Sequence, residues 1–169
     1  MVRDGVRVLR RPYVIGVDGP SGAGKSDLAV RLAASLDGAV LRMDDLYPGW
    51  RGLEASVPRV VAWALAPLRA GRAARWRRYD WVRERYAEWH ELPDRPVVVV
   101  EGVGVGARAC APYLDLLLWL DAPESERYRR AMLRDGIGYR PHWRGWAAAE
   151  RAHHGREGTR DRADVVLAG

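Results

Sequence analysis

The chain has 169 residues, 28 Lys plus Arg against 22 Asp plus Glu, and a formal net charge of +6. That length suits one domain, 1–169, with a real core. One cysteine, Cys110, excludes an internal disulfide and a cysteine metal cluster, and no apolar run approaches the ~18 residues of a membrane span.

The first element predicted is a buried strand over 13–17, an apolar run that leads into Gly19-Pro20-Ser21-Gly22-Ala23-Gly24-Lys25-Ser26. This octapeptide is a complete G-x-x-x-x-G-K-[ST] phosphate-binding loop. Lys25 is the only lysine; the other 27 basic residues are arginine. A compact ammonium on a flexible stem reaches the β- and γ-phosphates where a planar guanidinium is no equal substitute. The glycines let backbone N–H groups curl inward, the helix that follows adds its partial positive charge, and Ser26 offers a hydroxyl to Mg²⁺. The sequence therefore predicts a site for ATP and Mg²⁺ built from 19–26, with Asp27 on its far edge.

Apolar residues at Leu28, Ala29, Leu32, Ala33 and Leu36 predict a helix over 25–36. A second strand, 39–43, ends at Asp44-Asp45. A carboxylate at the mouth of such a strand can accept a proton from a substrate hydroxyl and help hold a metal. Asp45 reads as a turn or cap residue. Helices are predicted over 58–70 and 80–92, then a fully apolar strand over 97–100 that ends in Glu101, a second carboxylate near the metal. Gly102-x-Gly104-x-Gly106 reads as a turn that passes close to substrate.

A fourth strand over 115–120 is followed by a helix over 123–134 rich in arginine. Gly136 and Gly138 then suggest a mobile lid, approximately 134–146, that closes over the triphosphate and excludes water. A helix over 146–154 and a strand over 163–167 complete the chain. His153-His154 have no cysteine nearby and lack helical spacing, so they are not read as metal ligands. Strands alternating with helices imply a three-layer α/β fold, a parallel sheet covered on both faces, with ligands beyond the carboxyl ends of the strands.

Net positive charge invites a nucleic-acid reading, but the arginines are scattered, and a positive field also steers anionic nucleotides. Trp76, Trp81 and Trp89, with Tyr79 and Tyr86, could stack bases, line a small-molecule pocket or fill a core that lacks Phe. Nucleic acid and membrane are not expected partners. Met1-Val2-Arg3-Asp4-Gly5 has no apolar leader, so a cytoplasmic location is expected.

The loop at 19–26, Asp44-Asp45-Leu46-Tyr47, Tyr79-Asp80-Trp81, Val100-Glu101-Gly102, 130–135 and 163–166 together resemble the uridine kinase family of P-loop kinases over nearly the whole chain. The resemblance implies a sheet ordered 2-3-1-4-5 with a lid after the fourth strand. It implies Lys25, Asp44, Arg130 and Arg134 as catalytic groups, and Ser26, Asp44 and Glu101 around Mg²⁺. It also implies that Asp44, Tyr47, Tyr79, Trp81 and Glu84 border the acceptor, a small molecule of nucleoside type. Glu84 stands where the family has a histidine, and the segment between Tyr47 and Pro58 is short for the family's substrate-side hairpin, so uridine and cytidine are expected to be poor acceptors. The opening Ile15-Gly16-Val17-Asp18-Gly19-Pro20 is also similar to cytidylate kinases, which leaves a nucleotide acceptor open. An ATP-driven nucleic-acid module is the alternative from another class.

Overall fold

A computed structural model describes residues 11–168. Met1-Val2-Arg3-Asp4-Gly5, read above as lacking a leader, lies outside the described residues. Five parallel strands form the central sheet: β1 (Tyr13–Asp18), β2 (Gly38–Arg42), β5 (Val97–Glu101), β6 (Leu116–Asp121) and β7 (Val165–Ala168), in the order β2-β5-β1-β6-β7. The numbering departs from 2-3-1-4-5 because two unanticipated strands, β3 (Arg75–Asp80) and β4 (Arg85–Glu91), intervene in the chain and form a separate hairpin.

Strand β5 sits between β1 and β2 and is buried on both faces, as its run of valines requires. Val98 and Val100 enter the larger core cluster with Leu53, Val60 and Leu65; Val99 enters the smaller one with Ala29 and Ala33 of α1 (Lys25–Ser35). Alternation along the strand thus divides the core into two layers around the sheet.

The helix expected over 58–70 begins earlier. It runs as α2 (Leu53–Val60), a π turn (Val61–Leu65) and α3 (Ala66–Arg69). Pro67 has no N–H for the carbonyl four residues back, and the wider turn accommodates that missing bond.

The helix expected over 80–92 does not form. Trp76 pairs across the hairpin with His90, and Tyr79 with Tyr86; their ring centroids lie 5.5 Å and 5.4 Å apart. The Asp80 carboxylate accepts the N–H groups of Val82 and Arg83 at 3.0 and 2.9 Å, turning the chain where a helix would have started. Cross-strand aromatic pairs outweigh the helical spacing of Val82, Tyr86 and Trp89.

After β6 the chain forms α4 (Glu124–Tyr139) and α5 (Trp143–Glu157), longer than the helices predicted at 123–134 and 146–154. Within α4, Gly136 takes φ 59° and ψ −139° and breaks the helix. The residues expected as a lid, 134–146, therefore comprise the broken end of α4, the turn at 140–142 and the start of α5. A short helix, α6 (Thr159–Arg162), leads into β7. No helix among the described residues is long and apolar enough to cross a membrane.

Candidate active site

The phosphate loop lies between the end of β1 and the start of α1, and its glycines are there for steric reasons. Gly19 has φ 139° and Gly22 φ 79°; a Cβ would stand 2.0 Å from the Leu120 carbonyl oxygen at the first and 2.3 Å from that of Arg127 at the second. Even alanine would displace the backbone there. Lys25 is buried and donates from Nζ to the carbonyls of Gly19 and Pro20 at 2.7 and 3.0 Å, so its charge is held within the loop's curl. Asp27 is exposed on the first turn of α1, away from these contacts.

Beside the loop, Ser26 donates its hydroxyl to Glu101 at 2.9 Å. Glu101 is 3% exposed; burial raises its carboxyl above the ordinary range, Lys25 pulls it down and Asp44 pushes it up again. Asp44 occupies a 3₁₀ turn (Met43–Asp45) after β2. Its side chain is open to solvent yet hemmed in by protein, and that partial desolvation raises its carboxyl against the pull of Arg134 and Lys25. Both carboxylates are hard oxygen donors of the kind that Mg²⁺ takes. With the Ser26 hydroxyl they make an all-oxygen set that fits Mg²⁺. No group of three or more His, Cys, Asp or Glu side chains gathers to hold a metal among the described residues. Mg²⁺ is suited to such a partial site, because it takes one or two carboxylates and completes its shell with phosphate and water.

Arg130 donates to Glu126 at 2.7 Å and to the Ala23 carbonyl of the loop at 3.4 Å. Arg134 pairs with Asp135 at 2.7 Å and acts electrostatically on Asp44. These two arginines, four residues apart on α4, come to the loop and to Asp44 respectively.

The hairpin β3–β4 supports the 43–45 turn from the other side. Trp76 donates to the Asp45 carboxylate at 3.3 Å, Trp81 to the Asp44 carbonyl at 3.0 Å and Tyr86 to the Leu46 carbonyl at 2.6 Å. Asp45 is thus a structural anchor. The short segment between Tyr47 and α2 needs no hairpin of its own, since the hairpin arrives later in the chain.

Two of the acceptor-side residues expected from the sequence are placed differently. Tyr47 is fully buried, donates its hydroxyl to the Val103 carbonyl at 2.8 Å, and packs edge-on against Trp146. Glu84 sits at the exposed hairpin tip with φ 50°, not on a helix facing a pocket. Tyr79 is buried edge-on to Trp81, and Trp81 packs on Trp50 at 4.9 Å. Trp50 in turn stacks on Tyr139 and His142 at 5.1 and 4.3 Å, which joins the α4–α5 junction to the hairpin.

Several site residues escaped the sequence reading. Asp18, fully buried at the end of β1, accepts N–H groups from Gly19, Gly104 and Gly106 at 2.7, 3.1 and 2.8 Å, and pairs with His154 at 3.0 Å. Burial pushes its carboxyl up, but the His154 hydrogen bond and charge and the N–H groups of Gly106 and Gly19 hold it below the ordinary range. Gly104 and Gly106 of the glycine turn thus cradle Asp18. Arg127 donates to the carbonyls of Ala122 and Ser21. On α5, Trp146, Glu150 and His154 recur every four residues, and all three reach the loop or Asp18. An acid in a stripe of helix period is ordinary in a sequence, so nothing local singled Glu150 out.

No protein-family model matches the chain. Among solved structures, a Bacillus stearothermophilus protein described as a possible uridine kinase superposes with TM-score 0.69 at 23% identity, covering 94% of this chain and 89% of that one. A Silicibacter protein described as a fructose transport system kinase superposes with TM-score 0.68 at 18% identity, covering 95% and 92%. The chain has a P-loop kinase fold. In sequence, that fold is shared with differently named relatives. A tRNA dimethylallyltransferase of Rhodospirillum centenum is 38% identical over 111 residues, and one of Pseudarthrobacter chlorophenolicus is 47% identical over 50. These alignments cover 34% and 16% of the relatives, so the chain spans about a third or less of the curated proteins it matches.

Proposed function

We propose that this P-loop kinase fold transfers the γ-phosphoryl group of ATP to a hydroxyl of a small molecule, most readily a nucleoside. The observation that carries this reading is the convergence of Lys25, the Ser26–Glu101 pair and the raised Asp44 carboxyl on one edge of the sheet. Lys25 and the loop amides hold the β/γ-phosphates. Ser26, Glu101 and Asp44 would hold Mg²⁺, which would neutralise phosphate charge. Asp44, its basicity raised by desolvation, accepts the acceptor's hydroxyl proton as the oxygen attacks phosphorus. Arg130 and Arg134 offset the charge that spreads over the transferring group. The aromatic wall of Tyr79, Trp81 and Trp50 supports a planar acceptor, and a nucleoside monophosphate is the alternative within the same chemistry.

A second reading is favoured by the sequence relatives: transfer of a dimethylallyl group to tRNA, with the loop holding phosphate of the donor. A coupled ADP-release screen across nucleosides, nucleotides and simple alcohols separates the two. One small molecule that drives stoichiometric ADP formation supports kinase activity. No ADP formation with any acceptor, alongside prenyl transfer to tRNA, overturns it.

A further inference from the structure

Ser21, the third residue of the phosphate loop, has every polar group taken by the helices that cover it. Its N–H donates to Glu150 Oε1 at 3.0 Å and its hydroxyl donates to the same oxygen. Trp146 Nε1 donates to Ser21 Oγ at 2.9 Å, and Arg127 donates to the Ser21 carbonyl at 3.2 Å. Glu150 is 1% exposed. A buried carboxylate is costly unless hydrogen-bonded, and this one spends one oxygen on two donors of a single loop residue.

A carboxylate beside an anion cradle opposes the charge of a triphosphate, so its contribution here lies in geometry. By taking the Ser21 N–H, Glu150 fixes the orientation of the peptide that enters the cradle, and leaves the following N–H groups to the phosphates. The same helix holds Asp18, at the start of the loop, through His154.

We infer that Glu150 is a positioning residue for nucleotide binding: it acts through Ser21 to hold the phosphate loop in its anion-receiving shape. The inference deepens the phosphoryl-transfer reading but depends only on that reading's nucleotide site. Reach and charge are separated by two variants. Glu150→Gln keeps the length and an acceptor oxygen while it removes the charge; Glu150→Asp keeps the charge but falls one methylene short of Ser21.

Titration calorimetry with MgATP on the full chain is the direct test, with thermal unfolding of each variant as a check of folding. Glu150→Gln is expected to bind within ~3-fold of the unsubstituted protein and Glu150→Asp at least ~10-fold more weakly. In transfer assays the Asp variant raises KM for ATP more than it lowers kcat, and the Gln variant restores KM. Equal affinities for the two variants, or the reverse order, would overturn the inference and leave the transfer reading intact. MgATP binding with the expected order, but no acceptor phosphorylated, would sink the transfer reading and leave this inference standing. Failure of the unsubstituted protein to bind MgATP removes both.

Discussion

The indole N–H of Trp81 reaches across 37 residues of sequence to the backbone carbonyl of Asp44, at 3.0 Å. The residue proposed as base is therefore held by a hairpin that the chain makes much later. Trp81→Phe keeps a six-membered ring against Trp50 and removes the donor together with part of the indole. Loss of one such bond costs about 1 kcal/mol, a shift of roughly 2–4 °C in Tm for a chain of this size. The transfer rate is expected to fall further, ~5-fold or more, because a small displacement of Asp44 degrades attack geometry. Stopped-flow rates beside calorimetric Tm values check it; a rate loss no larger than the stability loss implies would argue against positioning.

Asp44 and Asp45 are adjacent but serve different partners. Asp44→Asn is expected to lower kcat by ~10²-fold or more while MgATP still binds, the scale of general-base loss. Asp45→Asn keeps an oxygen for Trp76 and should change the rate little; Asp45→Ala should cost about 1 kcal/mol of stability with activity within a few-fold. Steady-state kinetics on the three variants decide it, and a larger rate loss at Asp45 would move the catalytic role by one residue.

Asp18 predicts a pH dependence of folding. Its carboxyl is held below the ordinary range in the folded protein, where His154, Cys110 and Tyr47 are the titratable groups that act on it or feel its charge. A depressed folded value contributes stability that is fully present above the unfolded carboxylate range, near pH 4, and is lost as pH falls through the lowered value. Asp18→Asn should cost about 3 kcal/mol at neutral pH, because an amide presents donors to the N–H groups of Gly104 and Gly106. Urea unfolding at several pH values should show the gap between the two proteins narrowing below pH 4. A gap independent of pH would contradict the assignment.

Cys110 is fully buried, and desolvation with the charges of Asp18 and Glu157 pushes its thiol up to about 12. At pH 8 only ~10⁻⁴ of it is thiolate, so the folded protein should resist a thiol reagent for hours. One equivalent should react promptly in denaturant. Fast reaction without denaturant would mean that the 102–110 segment opens.

Lys25, Ser26 and the helix after them were legible in the sequence because a phosphate loop is local: contiguous glycines, one lysine and a helix start determine its shape wherever it occurs. The run of valines ending at Glu101 was legible for a similar reason, since a strand apolar on both faces belongs in the middle of a parallel sheet. The hairpin of Trp76 to Glu91 was not, because Val82, Tyr86 and Trp89 fit a helix as well as a strand, and pairing with residues across the turn decided between them. Tyr47 looked like a pocket residue until its hydroxyl found Val103, and Glu84 until the turn carried it to the surface. Glu150 and His154 sit in an ordinary helix; only the packing of α5 over the phosphate loop gave them Ser21 and Asp18 as partners. Sequence alone determined the phosphate loop, whose groups are neighbours along the chain, whereas the anchoring of Asp45 by Trp76 and the supports of the loop were decided by contacts between residues about 30 to 140 positions apart, which no local pattern encodes.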